Sequence, residues 1–143
     1  MANILKLSDA TALALHSMVH LALDPERQST TAEISEIFEF SRHHLAKVHQ
    51  RLRKAGLITS QRGPSGGVLL AKDPAKISLL DIYETMEGPI KCNPCLFDNE
   101  VCPRENCMLS NLLSPLANQV HDYFKNTSLE KIARESNWKG IQK

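Results

Sequence analysis

All four cysteines of this chain fall within one short segment, and their side chains are the ones best suited to chemistry. Residues 92–107 read CNPCLFDNEVCPRENC, with the spacing C-x2-C-x6-C-x4-C. Pro94 and Pro103 interrupt the segment, so we expect a loop and not a helix. Thiolates are soft ligands that suit zinc, copper(I) or iron–sulfur clusters, whereas free cysteines are usually buried apart from one another. The segment therefore predicts a metal or redox site, whose candidate ligands are Cys92, Cys95, Cys102 and Cys107.

Spacing alone does not select one metal. A structural zinc site normally uses two chelating pairs separated by a longer stretch, and only Cys92 and Cys95 form such a pair here. This CxxC is not near a βαβ pattern, which would have indicated a thioredoxin-like redox site. Cys107 precedes the expected start of a long helix, where amide groups and the helix dipole stabilise a thiolate or an anionic cluster. Four thiolates fit zinc and both common iron–sulfur clusters.

The overall composition is that of an ordinary globular protein. The 143 residues suit one domain, or one small domain with an appended element, and 42% of them are hydrophobic and 23% charged. No apolar run approaches the roughly 20 residues needed to span a bilayer, and the N-terminus lacks the pattern of a secretory signal. We therefore expect a cytoplasmic protein without a membrane partner, where thiols stay reduced and clustered cysteines indicate metal or redox chemistry.

A strongly basic segment is concealed by the overall net charge of +1. Residues 41–72 contain no Asp or Glu but hold seven of the 17 basic residues, so the rest of the chain, with ten basic and 16 acidic residues, carries −6. A solvated helix face, which is the alternative interpretation, normally mixes both signs of charge. The asymmetry favours contact with a polyanion, and nucleic acid is the expected one.

The first forty residues predict two helices. Apolar residues at helical spacing indicate a first helix over residues 8–23. Thr30 and Glu33 then form a capping-box pattern that opens a short second helix, with Ile34 and Ile37 facing inward.

A longer basic helix follows after a tight connection. Ser41 caps it, Leu45, Val48 and Leu52 recur on its inward face, and Gly56 supplies the C-terminal stop. Two short helices joined by a tight turn, the second of them basic, are typical of a helix-turn-helix.

Residues 57–71 predict a β-hairpin, which would be the wing of a winged helix. Two β-prone runs, 57–61 and 68–71, flank the tip Arg62-Gly63-Pro64-Ser65-Gly66-Gly67. A glycine-rich tip also resembles a phosphate cradle, but no GKS or GKT follows it, so the nucleotide interpretation is weak. In a winged helix the second helix of the motif enters the major groove, and a wing arginine reaches phosphate or the minor groove. The candidate DNA-binding residues, for which base and phosphate contacts both stay open, are Ser41, Arg42, His43, Lys47, Arg51 and Arg62.

Residues 108–125 predict a long helix with an apolar stripe that must be buried against something. Packing on its own domain is one alternative, but a long helix beyond a self-contained winged helix pairs more often with a copy of itself, which favours a homodimer. Pro115 is expected to bend this helix or to begin its second half. Thr127 and Glu130 form a capping-box pattern that opens a last short helix. The stripe consists of Leu109, Leu112, Leu113, Leu116, Val120, Tyr123 and Phe124.

The helix-turn-helix and wing also carry a shared family motif, in the stretch SRHHLAKVHQRLRKAGLITSQRGPSGGVLLA. The matching residues are Ser41, Leu45, Lys47, Ala55-Gly56-Leu57, Arg62-Gly63 and Gly66-Gly67. With them the chain resembles, over nearly its whole length, the IscR/NsrR (Rrf-two) family of bacterial winged-helix regulators. The resemblance implies a homodimeric transcription factor that binds double-stranded DNA at an imperfect palindromic operator. In many members of that family an iron–sulfur cluster is held by a cysteine loop just before the dimerisation helix.

The resemblance further implies how the cysteines are used. Family members use three cysteines over a short span, which Cys95, Cys102 and Cys107 match in this sequence. Cys92 is then extra, and it is either a fourth ligand or a spare redox thiol. On the same grounds we expect a [4Fe–4S] cluster first, a [2Fe–2S] cluster second and zinc third.

A more distant ligand candidate lies at the start of the first helix. Asp9 resembles an acidic residue that some relatives donate across the dimer, although a carboxylate in the first turn of a helix is also favoured by the helix dipole. His16 and His20 share a helix face with Asp9, and we interpret them as ordinary surface histidines.

Together these expectations describe a mainly α protein with a small β-wing. Residues 1–88 would form the winged helix-turn-helix, 89–107 the cysteine-rich cluster-binding loop, and 108–143 the dimerisation helix with a short C-terminal helix. The expected function is a DNA-binding transcriptional regulator that senses redox state, nitric oxide or iron–sulfur status. A zinc-stabilised or thiol-switch DNA-binding protein is the alternative, and an enzyme is not expected because no nucleophile–base constellation is evident.

Overall fold

The structure is a computed structural model, and it describes residues 5–64, 66–91, 105 and 107–136. Within these residues the chain is mainly helical with one small antiparallel sheet, as the sequence predicts. A short 3₁₀ helix, Pro74–Lys76, precedes α4. The regular elements are α1 (Asp9–Leu23), α2 (Thr31–Phe38), α3 (Arg42–Lys54), β1 (Ile58–Gln61), β2 (Gly67–Leu70), α4 (Leu79–Glu87), α5 (Ser110–Asn126) and α6 (Leu129–Glu135).

Every described α-helix except α5 has a hydroxyl side chain as its N-cap. Each accepts a hydrogen bond from a free amide of the first turn, and these caps belong to Ser8, Thr30, Ser41, Ser78 and Ser128. The predicted capping box at Thr30 and Glu33 is confirmed, because Thr30 N donates to Glu33 Oε2 at 2.7 Å and Glu33 N donates to Thr30 Oγ1 at 3.1 Å. The predicted cap at Thr127 is wrong by one residue: Ser128 caps α6 instead.

The core forms where α1, α3 and α4 meet, beneath the wing. The predicted inward residues of α3, Leu45, Val48 and Leu52, are all buried. In α2, Ile34 is fully buried as expected, but the prediction for Ile37 is wrong, since its side chain is 43% exposed. The next residue, Phe38, packs against the core instead.

A buried histidine joins the two helices of the helix-turn-helix, α2 and α3, to α1. His49 of α3 places Nε2 2.6 Å from Ser17 Oγ of α1 and Nδ1 3.1 Å from Thr31 Oγ1 of α2. Burial, and after it the charge of Arg53, lowers the pKa of His49 from its ordinary 6.5 to about 4. The ring is therefore neutral near pH 7, with one nitrogen donating and the other accepting.

His20 is not the surface histidine that the sequence suggested. It is buried, its Nε2 lies 3.2 Å from Ser29 Oγ, and its ring meets Phe38 edge-on. Burial, followed by the charge of Arg27, lowers the pKa of His20 as well. His16, by contrast, is exposed as expected, with its Nδ1 2.7 Å from the Ala12 carbonyl.

The end of the chain returns to the core of the winged helix. Leu129 of α6 is fully buried, and its amide donates to the Ile77 carbonyl at 2.7 Å, while Leu79 N donates to the Thr127 carbonyl at 3.0 Å. The start of α6 is thereby paired with the start of α4. Among the described residues, no helix combines the length and the apolar character that crossing a bilayer requires.

The first testable prediction concerns His49 and acid stability. Because its pKa is lower in the folded protein, the unfolded state binds the extra proton, and stability present above pH 6.5 is lost as the pH falls toward 4. We expect His49 to account for about 3 kcal/mol of that loss. The free energy of unfolding, measured by urea denaturation between pH 7 and 4, should fall less steeply for His49→Gln than for the wild type.

The matched control is the exposed neighbour on the same helix. His43→Gln should reproduce the wild-type dependence on pH. Equal slopes for His49→Gln and the wild type would show that His49 is not held neutral by the fold.

Candidate functional site

The exposed face of α3 presents most of the predicted DNA-binding residues together. Because Leu45, Val48 and Leu52 face the core, Arg42, His43 and Lys47 are exposed to solvent on the opposite side. Ser41 lies at the start of this face, where its hydroxyl accepts a hydrogen bond from His44 N at 3.3 Å. The hydroxyl thus fixes the beginning of the helix, and its proton can be donated to a phosphate oxygen.

Sequence reasoning missed Gln50, which is exposed on this same face. Gln50 follows His43 and Lys47 at helical spacing, seven and three residues later, so the signal was present in the pattern that located the other two. A glutamine can pair with adenine through two hydrogen bonds in the major groove, whereas a lysine contacts phosphate or guanine. The face therefore combines base-reading and phosphate-binding chemistry.

Arg51 differs from the other predicted groove residues. Its Nη2 donates hydrogen bonds to the backbone carbonyls of Thr85 and Met86 at 3.0 and 2.8 Å. The guanidinium is thus directed at the C-terminal end of α4.

The wing is held to the helices by polar contacts at its base. Arg53 donates to Ser60 Oγ at 3.0 Å, and Gln28 Nε2 donates to Gln61 Oε1. Ser29 also pairs with Val68 through two backbone hydrogen bonds, of 3.2 and 2.8 Å, and so adds a bridge beside the hairpin. The wing strands therefore keep a fixed orientation relative to α3.

The tip of the wing presents Arg62, which is exposed directly after β1. Gly66 closes the turn, and a Cβ on it would lie 2.5 Å from the Gln61 carbonyl oxygen and 2.9 Å from that of Gly63. Only glycine fits this close approach, so the position of Arg62 depends on it.

The predicted metal ligands are only partly within the described residues. Cys92, Cys95 and Cys102 lie outside them, so their arrangement is not part of the described geometry. Cys107 is half-buried just before α5, and its carbonyl accepts a hydrogen bond from Ser110 N at 3.1 Å. The N-cap of α5 is Leu109, which offers no side-chain acceptor to the helix amides. In the described part of the chain, no three His, Cys, Asp or Glu side chains converge as a metal site.

Asp9 is exposed in the first turn of α1, at the same end of the molecule as the last turn of α4. Its neighbour Ser8 donates a backbone hydrogen bond to Glu87 Oε1 at 3.0 Å, and the Ser8 and Thr11 hydroxyls donate to the same oxygen. Burial alone would raise the pKa of Glu87, but these hydrogen bonds and the charge of Lys6 outweigh it and lower the pKa. The cysteine segment begins five residues after Glu87, so Asp9 lies near the point where that segment leaves α4.

One face of α5 packs on the domain, and the other is apolar and exposed. Leu113 and Ala117 are buried, and the ring of Phe124 meets that of Tyr83 in α4 at 5.5 Å. On the neighbouring face, three large apolar side chains remain 40–56% exposed, and they are Leu112, Leu116 and Tyr123. Apolar side chains aligned on one helix face indicate an interaction surface.

This geometry is that of a winged-helix transcriptional regulator, and comparison with known proteins agrees. Residues 7–135 match the family described as Rrf2, iron-dependent transcriptional regulator. A putative HTH-type transcriptional regulator of Aquifex aeolicus (strain VF5) is 34% identical over 128 residues, which cover 87% of this chain and 89% of that protein.

Solved structures of the same kind superpose over nearly the whole chain. CymR (YrzC), described as the global cysteine regulator of B. subtilis, is 30% identical with a TM-score of 0.81, covering 93% of this chain and 99% of that one. T. potens IscR is 26% identical with a TM-score of 0.74, covering 92% and 88%. The chain belongs to the Rrf2 family of transcriptional regulators, and it is not an enzyme.

The second prediction separates charge from sequence reading on α3. Lys47→Gln should weaken binding to every duplex alike and lower the slope of log Kd against log salt by about one per protomer. Gln50→Ala should instead weaken binding to a duplex selected from a random-sequence library by about 1–3 kcal/mol, with little change for a scrambled duplex. Fluorescence anisotropy over a range of salt concentrations measures both effects.

Lys131→Gln serves as the control for the loss of charge. Lys131 is exposed on α6, away from the basic face, and its replacement should leave both affinities and the salt slope unchanged. If Lys47→Gln and Gln50→Ala both behaved like Lys131→Gln, α3 would not be the helix that meets DNA.

Proposed function

We propose that this protein is a homodimeric regulator whose binding to an operator depends on an iron–sulfur cluster held by the cysteine segment. The observation that carries the proposal is the exposed face of α3, which has Arg42, His43, Lys47 and Gln50 at one surface and no acidic residue anywhere in 41–72. A face of this kind suits the major groove of double-stranded DNA, with Arg62 of the wing reaching the adjacent backbone or minor groove.

The exposed face of α5 supports a dimer formed with a second copy of the chain. Leu112, Leu116 and Tyr123 would be buried against the same residues of the partner in a two-fold arrangement. Full burial of one leucine is worth about 1.5–3 kcal/mol, so this surface is costly to leave in water. Two paired winged helices would read two half-sites related by symmetry, which accounts for an imperfect palindrome.

The chemistry of the donor set fits an iron–sulfur cluster. Four thiols lie within sixteen residues, and soft thiolates are the usual ligands of such clusters. Cys95, Cys102 and Cys107 would hold the cluster, with Cys92 or Asp9 as the fourth ligand, and [4Fe–4S] is preferred over [2Fe–2S]. Cys107 is placed before the first turn of α5, where free helix amides favour a thiolate. When bound, the cluster supplies a centre that is sensitive to oxidants and nitric oxide.

Ligation would restrain the chain between α4 and α5. The cysteine segment joins Lys91, just beyond α4, to Cys107, just before α5. Residues 92–107 held at three or four cysteines would have fewer conformations than the free segment, so the two helices would be held in one relative orientation. The relative orientation of α4 and α5 would differ between the protein with and without the cluster. A slight difference would be enough to change the spacing of the two α3 helices in the dimer.

A second candidate is a regulator that senses thiols or zinc without a cluster. It is favoured by the 30% identity to a protein described as a global cysteine regulator. Such a protein would use the same four cysteines for disulfide exchange or as a zinc site, and it would be colourless.

The third prediction tests the cluster directly. Protein purified without oxygen should be brown and contain iron and acid-labile sulfide, and Cys107→Ser should lose both. Either Cys92→Ala or Asp9→Ala should also lose the cluster, because one of them removes the fourth ligand. Measurements are visible absorption with iron, sulfide and zinc analysis.

Asp24→Ala, which removes an exposed carboxylate beyond the other end of α1, is the control and should retain iron. Colourless protein that holds zinc would establish the second candidate. Retention of the cluster by both Cys92→Ala and Asp9→Ala would refute both assignments of the fourth ligand.

The fourth prediction concerns the dimer. Leu112→Glu together with Leu116→Glu should give a monomer in sedimentation velocity, because the two carboxylates would have to be buried in the seam. Both side chains are already exposed in the single chain, so thermal unfolding of the protomer should change little. Asn118→Glu, an exposed position on the polar side of α5, should remain dimeric. A dimer that persists in the double variant would place the seam elsewhere.

A further inference from the structure

We propose that Arg51 does not contact DNA but positions the recognition helix α3, and that Arg51 and Glu87 together form a clamp on the last turn of α4. This inference rests on the proposed DNA-binding function and adds to it the element that sets the pose of α3. The α4 clamp consists of the contacts of Arg51 with Thr85 and Met86 and those of Glu87 with Ser8 and Thr11.

The first half of the clamp closes the C-terminal end of α4. The last four carbonyls of a helix have no partner within it, and that end carries partial negative charge. Here Gly88 N donates to the Glu84 carbonyl at 2.9 Å, and one Arg51 nitrogen donates to the next two carbonyls, at 3.0 and 2.8 Å. A positively charged donor on two helix-end carbonyls makes strong hydrogen bonds, so Nη2 of this exposed arginine is already occupied within the protein.

The second half of the clamp joins the adjacent residue of α4 to α1. Glu87 is 5% exposed, and its Oε1 accepts hydrogen bonds from the Ser8 amide and from the Ser8 and Thr11 hydroxyls. Lys6 Nζ lies 3.8 Å from its other oxygen, Oε2. The carboxylate therefore sits at the positive N-terminal end of α1, where the helix dipole favours it.

Three consecutive residues of α4, from 85 to 87, thus hold both α3 and α1. The sequence separations are large, 34 and 35 residues for Arg51 and 79 for Ser8, so these contacts define tertiary orientation and not local helix structure. Loosening either half would let α3 rotate on its apolar face. The helix α3 would keep its positive charge but would lose its alignment with the base pairs in the DNA major groove.

A direct phosphate contact by Arg51 makes different predictions from a positioning role. A phosphate contact strengthens binding to all duplexes alike and contributes about one unit per protomer to the salt slope. A positioning residue affects the alignment of α3, and therefore mainly the binding of the preferred sequence. Lysine distinguishes the two roles, because it keeps the charge but lacks the planar fork of donors.

The experiment compares Arg51→Lys, Arg51→Gln and Lys47→Gln in the full-length protein. The probes are the duplex recovered from a random-sequence library by the wild type and a scrambled duplex of equal length. We expect Arg51→Lys to lose about tenfold in affinity for the selected duplex, from the weakened clamp, with affinity for the scrambled duplex and the salt slope unchanged. Lys47→Gln should weaken both and lower the slope. Wild-type behaviour of Arg51→Lys, with Arg51→Gln resembling Lys47→Gln, would overturn the inference.

Glu87→Gln gives an independent test, because this residue is in the other half of the clamp. If both residues act through the pose of α4, the loss of selectivity in Arg51→Lys combined with Glu87→Gln should be smaller than the product of the single losses. Independent, multiplicative losses would overturn the inference. Equal binding of the wild type to the selected and scrambled duplexes would instead refute the proposed function, and with it this inference.

Discussion

The last turn of α4 must satisfy its own carbonyl groups, and the way in which it does so organises the helices around it. The Arg51 guanidinium from α3 donates hydrogen bonds to two of these carbonyls. The carboxylate of the next residue, Glu87, accepts hydrogen bonds from the Ser8 amide and from hydroxyls at the start of α1. The positive guanidinium therefore binds the negative C-terminal end of α4, and the negative carboxylate binds the positive N-terminal end of α1, at adjacent residues. Polar groups set the orientation of the basic helix there. The apolar core beneath it contributes stability but does not fix that orientation, because the hydrophobic effect is non-directional.

A second polar joint lies inside the helix-turn-helix itself. His49 is paired on both ring nitrogens and held neutral, so it adds no charge to a core that lies beneath a strongly basic surface. A buried polar group that is fully paired specifies one arrangement of the helices around it, since any shift leaves a donor or acceptor unsatisfied. The two joints together fix α3 against α1, α2 and α4, and charged side chains are left free only on its outer face.

Local signals in the sequence predicted the elements well, because caps and periodicity act over a few residues. The capping box at Thr30, the stop at Gly56 and the buried stripe of α3 are all of this kind. The errors at Ile37 and His20 have a common physical cause, whereas the predicted cap of α6 is displaced by only one residue. Whether Ile37 is covered and whether His20 is buried depend on contacts between elements, which no window of neighbours contains. The contacts of Arg51 with α4 are of the same kind. For the candidate site, the sequence allowed the residue types to be predicted but not the contacts between elements.

α4 lies between the regions to which three tasks are proposed, namely DNA binding, dimer formation and sensing. Its Tyr83 ring meets Phe124 of the helix proposed to form the dimer, and its last turn holds the helix proposed to read DNA. Gly88, with φ of 83°, then turns the chain toward the cysteine segment. Four residues, 88–91, join that segment to the end of α4, and two, 108 and 109, join it to α5, so a change in the segment would act on both helices. A short helix anchored on both sides is a stiffer connection than a loop, so the fold needs no additional element to join the proposed sensing segment with the proposed recognition helix.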